Sequence, residues 1–175
     1  ILSSGSTLIW LGKLLGRTPN ELDQQARTAT TSQVNLVPAF GGLGAPWWDP
    51  NAQAIINGMS LATGAAELAL AGFEAIALQI EDVLAAVESE TGAKLSSVNV
   101  DGGPTSNDWL MQLQANLSQR TVVKNQIAEL SAVGVAVFAA QAAGLLGTVP
   151  ASNSINFTPQ ISADRAAARQ ATWHS

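Results

Sequence analysis

The chain of 175 residues has no cysteine and one histidine, His174. The first absence excludes disulfides and thiolate chemistry and fits a reducing cytoplasm. The second leaves no material for a histidine-built metal site or a Ser/His/Asp triad. Positive charge is also scarce. Eight Lys and Arg against thirteen Asp and Glu give a formal net charge of −5, and the eight are scattered. Nothing is there to displace counterions from a phosphate backbone, so nucleic acid is excluded as a partner. No run suits a membrane either. The longest, AVGVAVFAAQAAGLLG from Ala132 to Gly147, is short, rich in Ala and Gly, and carries Gln141, so it reads as a buried helix. No signal peptide is visible.

Hydrophobic residues make up 47% and charged residues 12%, so Ala, Ser, Thr, Asn and Gln must cover much of the surface. Part of such a weakly charged surface is expected to meet something else. The length allows one domain with a sizeable core. Because the chain opens at Ile1 and stops at Ser175 within a helical pattern, the expectation is a piece of a longer protein.

Leu8, Leu11 and Leu15 recur at helical spacing between Gly5 and Gly16. Thr18, Pro19 and Glu21 spell a capping box with a proline start. Short buried strands are predicted over 34–40 and 54–60, separated by the Gly/Pro-rich loop GGLGAPWWDPNAQ. A long helix follows over 64–90, with Phe73, Ile76, Ile80, Val83, Leu84 and Val87 as its core stripe. Glu67, Glu74, Glu81 and Glu88 recur every seven residues, which predicts a solvated face rather than a metal ladder. Then come a strand at 96–103, a helix at 105–119, a strand at 120–126, an Ala-rich helix at 128–146 able to pack closely on a sheet, and a terminal helix. Strands alternating with helices indicate an α/β layer structure.

Two stretches carry candidate chemistry. In VDGGPTSN, Gly102 and Gly103 follow a strand, can take positive φ, and let a ligand approach the backbone. Thr105 or Ser106 can cap the next helix, and Asn107 can offer its amide to a polar ligand. An ordinary strand-to-helix turn would read the same way. In PAFGGLGAPWWDP, Pro38 to Pro50, the adjacent Trp47 and Trp48 need a surface to rest on, either a neighbouring domain or their own core. Asp49 before Pro50 reads as a turn residue.

These segments, taken in order, resemble the C-terminal domain of the FGGY carbohydrate kinases, the glycerol kinases most of all. The resemblance rests on Pro38–Pro50, Gly58-Met59, Glu67-Leu68, AGFE at 71–74, VDGGPTSNDWLMQLQANL and ELSAVGVAVFAAQAAG from Glu129, and it covers essentially the whole chain. Gly72 stands where the family usually has a larger residue. The resemblance implies a ribonuclease H-like, actin-like ATPase domain, a mixed sheet flanked by helices. Residues 1–175 would be the C-terminal nucleotide-binding domain. It implies ATP and Mg²⁺ as cofactors and a small sugar or polyol as substrate. Nucleotide-binding residues are then expected at Gly5, Gly103 and Asn107, with Gly102 beside them, whereas the family's nucleotide-contacting glutamine falls on Ile9. The catalytic aspartate, the polyol-binding residues and the Mg²⁺ site would belong to the protein's own N-terminal domain. That explains a glycine turn with no lysine behind it: this half needs to cradle only the nucleoside end. No catalytic residue is expected here, and the fragment alone should be inactive. A xylulose, ribulose or other short-polyol kinase, and a non-catalytic actin-like binding module, are the alternatives. Oligomeric state stays open, a homo-oligomer included.

Overall fold

The computed structural model describes residues 2–30, 33–125, 127, 130–145 and 153–175. Helix α1 spans Gly5–Leu15 and stops at Gly16, which takes the left-handed conformation (φ 63°). Helix α2, Pro19–Ala26, starts as its sequence predicts. The Thr18 hydroxyl accepts from the Glu21 backbone N–H, and the Glu21 carboxylate accepts from that of Thr18 at 2.7 Å. That backbone bond, helped by the Thr18 hydroxyl, holds the Glu21 carboxyl below its usual range.

Strands β1, Asn35–Val37, and β2, Ile55–Asn57, pair antiparallel with Leu36 opposite Ile56. Both are shorter than their apolar runs. Pro38 cannot donate to a ladder, and Gly58 (φ 74°) turns the chain so tightly that a Cβ there would lie 2.1 Å from the Gln33 carbonyl oxygen.

Helix α3, Ala65–Thr91, is the spine. On one side Leu11, Leu22, Phe73, Leu110, Met111 and Val122 form a core joining α1, α2 and α3 to the second half of the chain. Gly72 is where α1 comes nearest: a Cβ there would meet Leu11 Cδ2 at 2.7 Å. The expected core stripe is therefore right at Phe73 and Ile76 and fades towards Val87, which is exposed.

The glutamate face is a correction. Glu74 is buried and ion-paired with Arg169, while Glu81 and Glu88 flank the buried Arg120. Glu67 accepts from the Gly64 backbone N–H at the helix start. Two arginines from later in the chain cover what helical periodicity alone assigns to solvent. Burial pushes the Glu81 carboxyl up, against the pull of Arg120 beside it.

The second half holds a three-stranded mixed sheet. Strand β3, Ser97–Val100, runs parallel to β4, Thr121–Asn125, and β5, Ser154–Phe157, pairs antiparallel with β4. A 3₁₀ turn over Gly103–Ser106 links β3 to α4, Asp108–Ser118, whose Leu110 and Ala115 face the core. Helix α6, Ala163–Trp173, returns to the start of the fold. Arg169 donates to Glu74, to the Asn35 side chain and to the Val34 carbonyl.

Helix α5, Leu130–Ala142, departs from the buried reading, since none of its residues is buried and Val135 and Phe138 stand in solvent. Its sequence is apolar nearly all round, the pattern of a helix covered on every side, and the described residues leave it uncovered. Gln126, Ala128, Glu129 and residues 146–152, parts of the predicted strand and helix, lie outside the described residues.

Candidate functional site

A cleft of 770 Å³ opens between α1, α2, α3 and the turn into α4. Its floor is apolar, from Leu8, Phe73 and Ile76, and its rim is polar, from Asn20, Asp23, Arg27 and Asn107.

Of the residues singled out in the sequence, Gly5, Gly103 and Asn107 line this cleft. Gly5 is the first residue of α1 and Gly103 opens the 3₁₀ turn. A Cβ built on either meets nothing within 4 Å, so each leaves open space where a side chain would protrude. Gly102 is not among the lining residues. It alone of the pair takes positive φ (93°), so it sets the backbone while Gly103 faces the cleft.

Asn107 caps α4, in place of Thr105 or Ser106. Its Oδ1 accepts from the Leu110 backbone N–H at 3.0 Å, and its Nδ2 donates to Asp23 Oδ1 at 2.9 Å. Thr105 and Ser106 instead donate to the Gly102 and Gly103 carbonyls and tighten the turn. Asp101 accepts from the Leu130 backbone N–H at the start of α5 and so points away from a ligand role. Ile9 is exposed beside a smaller 440 Å³ hollow rather than in the main cleft.

Sequence reasoning missed Asp23, Arg27 and Trp109. Arg27 donates to Asp23 Oδ2 from Nε (2.9 Å) and Nη2 (2.8 Å). Its guanidinium lies 5.2 Å from the centroid of Trp109, which in turn meets Phe73 edge to face at 5.1 Å. The signal was present: Asp23 and Arg27 stand four apart on a short capped helix, the spacing of a facing ion pair. Nothing in the sequence said which side of α2 would meet α4.

The tryptophans of the Gly/Pro loop lie elsewhere. Trp47 Nε1 donates weakly to Asp82 at 3.4 Å and its ring meets His174, so the loop touches its own domain through Trp47, although both Trp47 and Trp48 stay exposed. Asp49 behaves as a turn residue, its carboxylate accepting from the Asn51 backbone N–H.

A mixed sheet flanked by helices, with a cleft whose walls are a glycine turn and two helix starts, defines the domain as one of the actin-like ATPase fold. The family model described as "FGGY family of carbohydrate kinases, C-terminal domain" matches residues 2–143, and the chain belongs to that family. It is 39% identical to the glycerol kinase of Alkalilimnicola ehrlichii over 178 residues, 99% of this chain and 36% of that enzyme. It is 46% identical to the apulose kinase of Pectobacterium atrosepticum over 138 residues, 78% of this chain and 28% of that one. The crystal structure of Plasmodium falciparum glycerol kinase with ADP superposes with a TM-score of 0.80 at 27% identity, covering 97% of this chain and 35% of that one. The chain thus spans about a third of the length of the relatives it matches. The expected family and fold class are borne out.

Proposed function

We propose that this chain forms the nucleotide-binding half of an ATP-dependent kinase, glycerol kinase-like, that transfers the γ-phosphoryl group to a hydroxyl of a small sugar or polyol. One observation carries the reading. Gly5, from the first helix, lines the same cleft as Gly103 and Asn107, from the turn into α4, and these are the positions that the family resemblance marks for nucleotide. The Plasmodium glycerol kinase, whose structure was solved with ADP, supports the ligand.

The cleft's chemistry fits a nucleoside. Leu8, Phe73 and Ile76 offer an apolar floor, the two glycines leave room for close backbone approach, and Asn20 and Asn107 carry amides at the rim. The carboxylates at the rim are already engaged, Asp23 by Arg27 and Asn107, and Asp108 by Lys124 at 2.7 Å. Mg²⁺ is therefore assigned mainly to the protein's N-terminal domain, together with the catalytic aspartate and the substrate site. Bound ATP supplies the transferable phosphoryl group. This chain's residues hold the nucleoside end, fix its direction and exclude water from one side. Among the described residues no helix is long and apolar enough to cross a membrane, and the proposed location is the cytoplasm.

A second substrate class, xylulose, ribulose or another short polyol, is supported by the 46% identity to an apulose kinase. The test is an ATP-coupled assay of the protein joined to its N-terminal domain against glycerol, erythritol, xylulose, ribulose and apulose. Calorimetry of the 175-residue chain with ADP runs alongside. Binding by the chain, with turnover only when both domains are present, is the expected pair of results. Turnover by the chain alone overturns the division of labour. Binding with silence across every substrate favours a non-catalytic actin-like module.

A further inference from the structure

We infer that Asp23 is a positioning residue of the nucleotide cleft, acting through Asn107; the inference rests on the proposed function above and names how the same site is held. The Asn107 side chain has one acceptor and two donor hydrogens. Its oxygen is committed to the Leu110 backbone N–H and one hydrogen to Asp23 Oδ1, at 2.9 Å across 84 residues of sequence. A terminal amide torsion is broad when left to itself. Here two bonds from different directions fix the plane, leaving one Nδ2 hydrogen and one oxygen lone pair for a ligand.

Asp23 is itself fixed. Its other oxygen, Oδ2, accepts from Arg27 Nε and Nη2, and Arg27 lies over the Trp109 ring. The Asp23 side chain is only 20% exposed, so this bridge sits in the wall of the cleft rather than in bulk water. Asp23, Arg27, Asn107 and Trp109 all line the cleft, and among the described lining residues Arg27 is the only cation. Helix α2 therefore serves as a strut that sets the aim of the amide at the start of α4.

The arrangement predicts a specific pattern. Asp23→Ala removes the acceptor, and ADP affinity of the full chain falls about five- to tenfold, the worth of one oriented hydrogen bond. Asp23→Asn can keep an oxygen for Asn107 only by setting its amide hydrogens against the Arg27 donors, so affinity recovers in part and lies between those of Asp23→Ala and the parent. Asn107→Ala weakens ADP binding at least as much as Asp23→Ala does. Adding Asp23→Ala to it produces no further loss, because the positioned group is gone.

Calorimetric titration of ADP into the four variants and the parent reads these values, with thermal unfolding of each to confirm folding. A residue that merely steadies α2 would lower the melting temperature and weaken binding equally in both backgrounds. Additive losses from Asp23→Ala and Asn107→Ala overturn the inference while leaving the nucleotide site standing. An Asn107→Ala chain that binds ADP like the parent, or a parent that binds none, overturns the site and the inference with it.

Discussion

Arg169 on α6 and Glu74 on α3 lie 95 residues apart in sequence and meet as a buried ion pair, with Nε and Nη2 each 2.8 Å from Oε2. The side chains are 8% and 7% exposed, and the same guanidinium holds Asn35 at 2.6 Å and the Val34 carbonyl at 3.2 Å. One residue thus ties the last helix to the first strand and to the spine. Arg169→Ala removes the buried guanidinium that pairs with Glu74 and holds Asn35 and Val34, and a loss of about 3–5 kcal/mol in urea unfolding is expected. The double variant Glu74→Leu/Arg169→Met removes both charges together and should recover a large part of that loss. A double variant as unstable as Arg169→Ala would locate the energy in Asn35 and Val34 instead.

This pair also marks where sequence reading stopped. Helix α3 was legible because Gly64 and the apolar spacing from Phe73 to Ile76 are local, and the Thr18–Glu21 box was legible for the same reason. That Glu74, Glu81 and Glu88 lie under Arg120 and Arg169 depends on how α6 and β4 return across α3, which no local period encodes. Strand β5 was missed although Ser154-Ile155-Asn156-Phe157 alternates, because four residues at a sheet edge, most of them exposed, give too short a pattern to separate from a loop. At the cleft, Gly103 and Asn107 stood out in the glycine turn itself, whereas Gly5 entered through family resemblance alone. The strut from Asp23 to Asn107 needed the packing of α2 against α4.

Gly102 and Gly103 separate backbone need from ligand access. Gly102 sits at φ 93°, ψ 176°, a region open almost only to glycine, so Gly102→Ala should cost about 1–3 kcal/mol of stability. Gly103 has no positive φ and nothing within 4 Å of a Cβ, so Gly103→Val should fold with a melting temperature near the parent's. It should nevertheless lose ADP binding, because the branched side chain stands in the cleft. Unfolding curves and titration of the two variants read both arms. A Gly103→Val chain that binds like the parent reduces the turn to a connector.

Acid should test the helix starts. Glu21 and Glu67 accept from the Thr18 and Gly64 backbone N–H groups, and these bonds lower both carboxyls from 4.5. A group with a depressed native value contributes its stability above its unfolded value and loses it as pH falls through the native one. The two caps should therefore hold above pH 4.5 and fade below it. Glu21→Gln/Glu67→Gln should be less stable than the parent at neutral pH and should approach it as the solution is acidified. Urea midpoints measured across that range give the answer, and parallel curves for parent and variant would show that the caps carry no charge-dependent stability.

Asp82 gathers the end of the chain. Its Oδ2 accepts from Trp173 Nε1 at 3.1 Å and, more weakly, from Trp47 Nε1 at 3.4 Å, while Oδ1 lies 2.7 Å from His174 Nε2. The carboxylate is 5% exposed, whereas the His174 ring is 49% exposed. Trp47 is exposed as well, so the energetic weight should fall on the Trp173 indole. Asp82→Ala strands the half-buried Trp173 donor, at a cost of about 1–3 kcal/mol. It also frees the loop carrying Trp47 from the α3 wall, so tryptophan emission should shift to the red. His174→Ala should change emission little, because both indole donors keep their acceptor. Equal shifts in the two variants would mean that the histidine, and not the aspartate, holds the Gly/Pro loop against the spine.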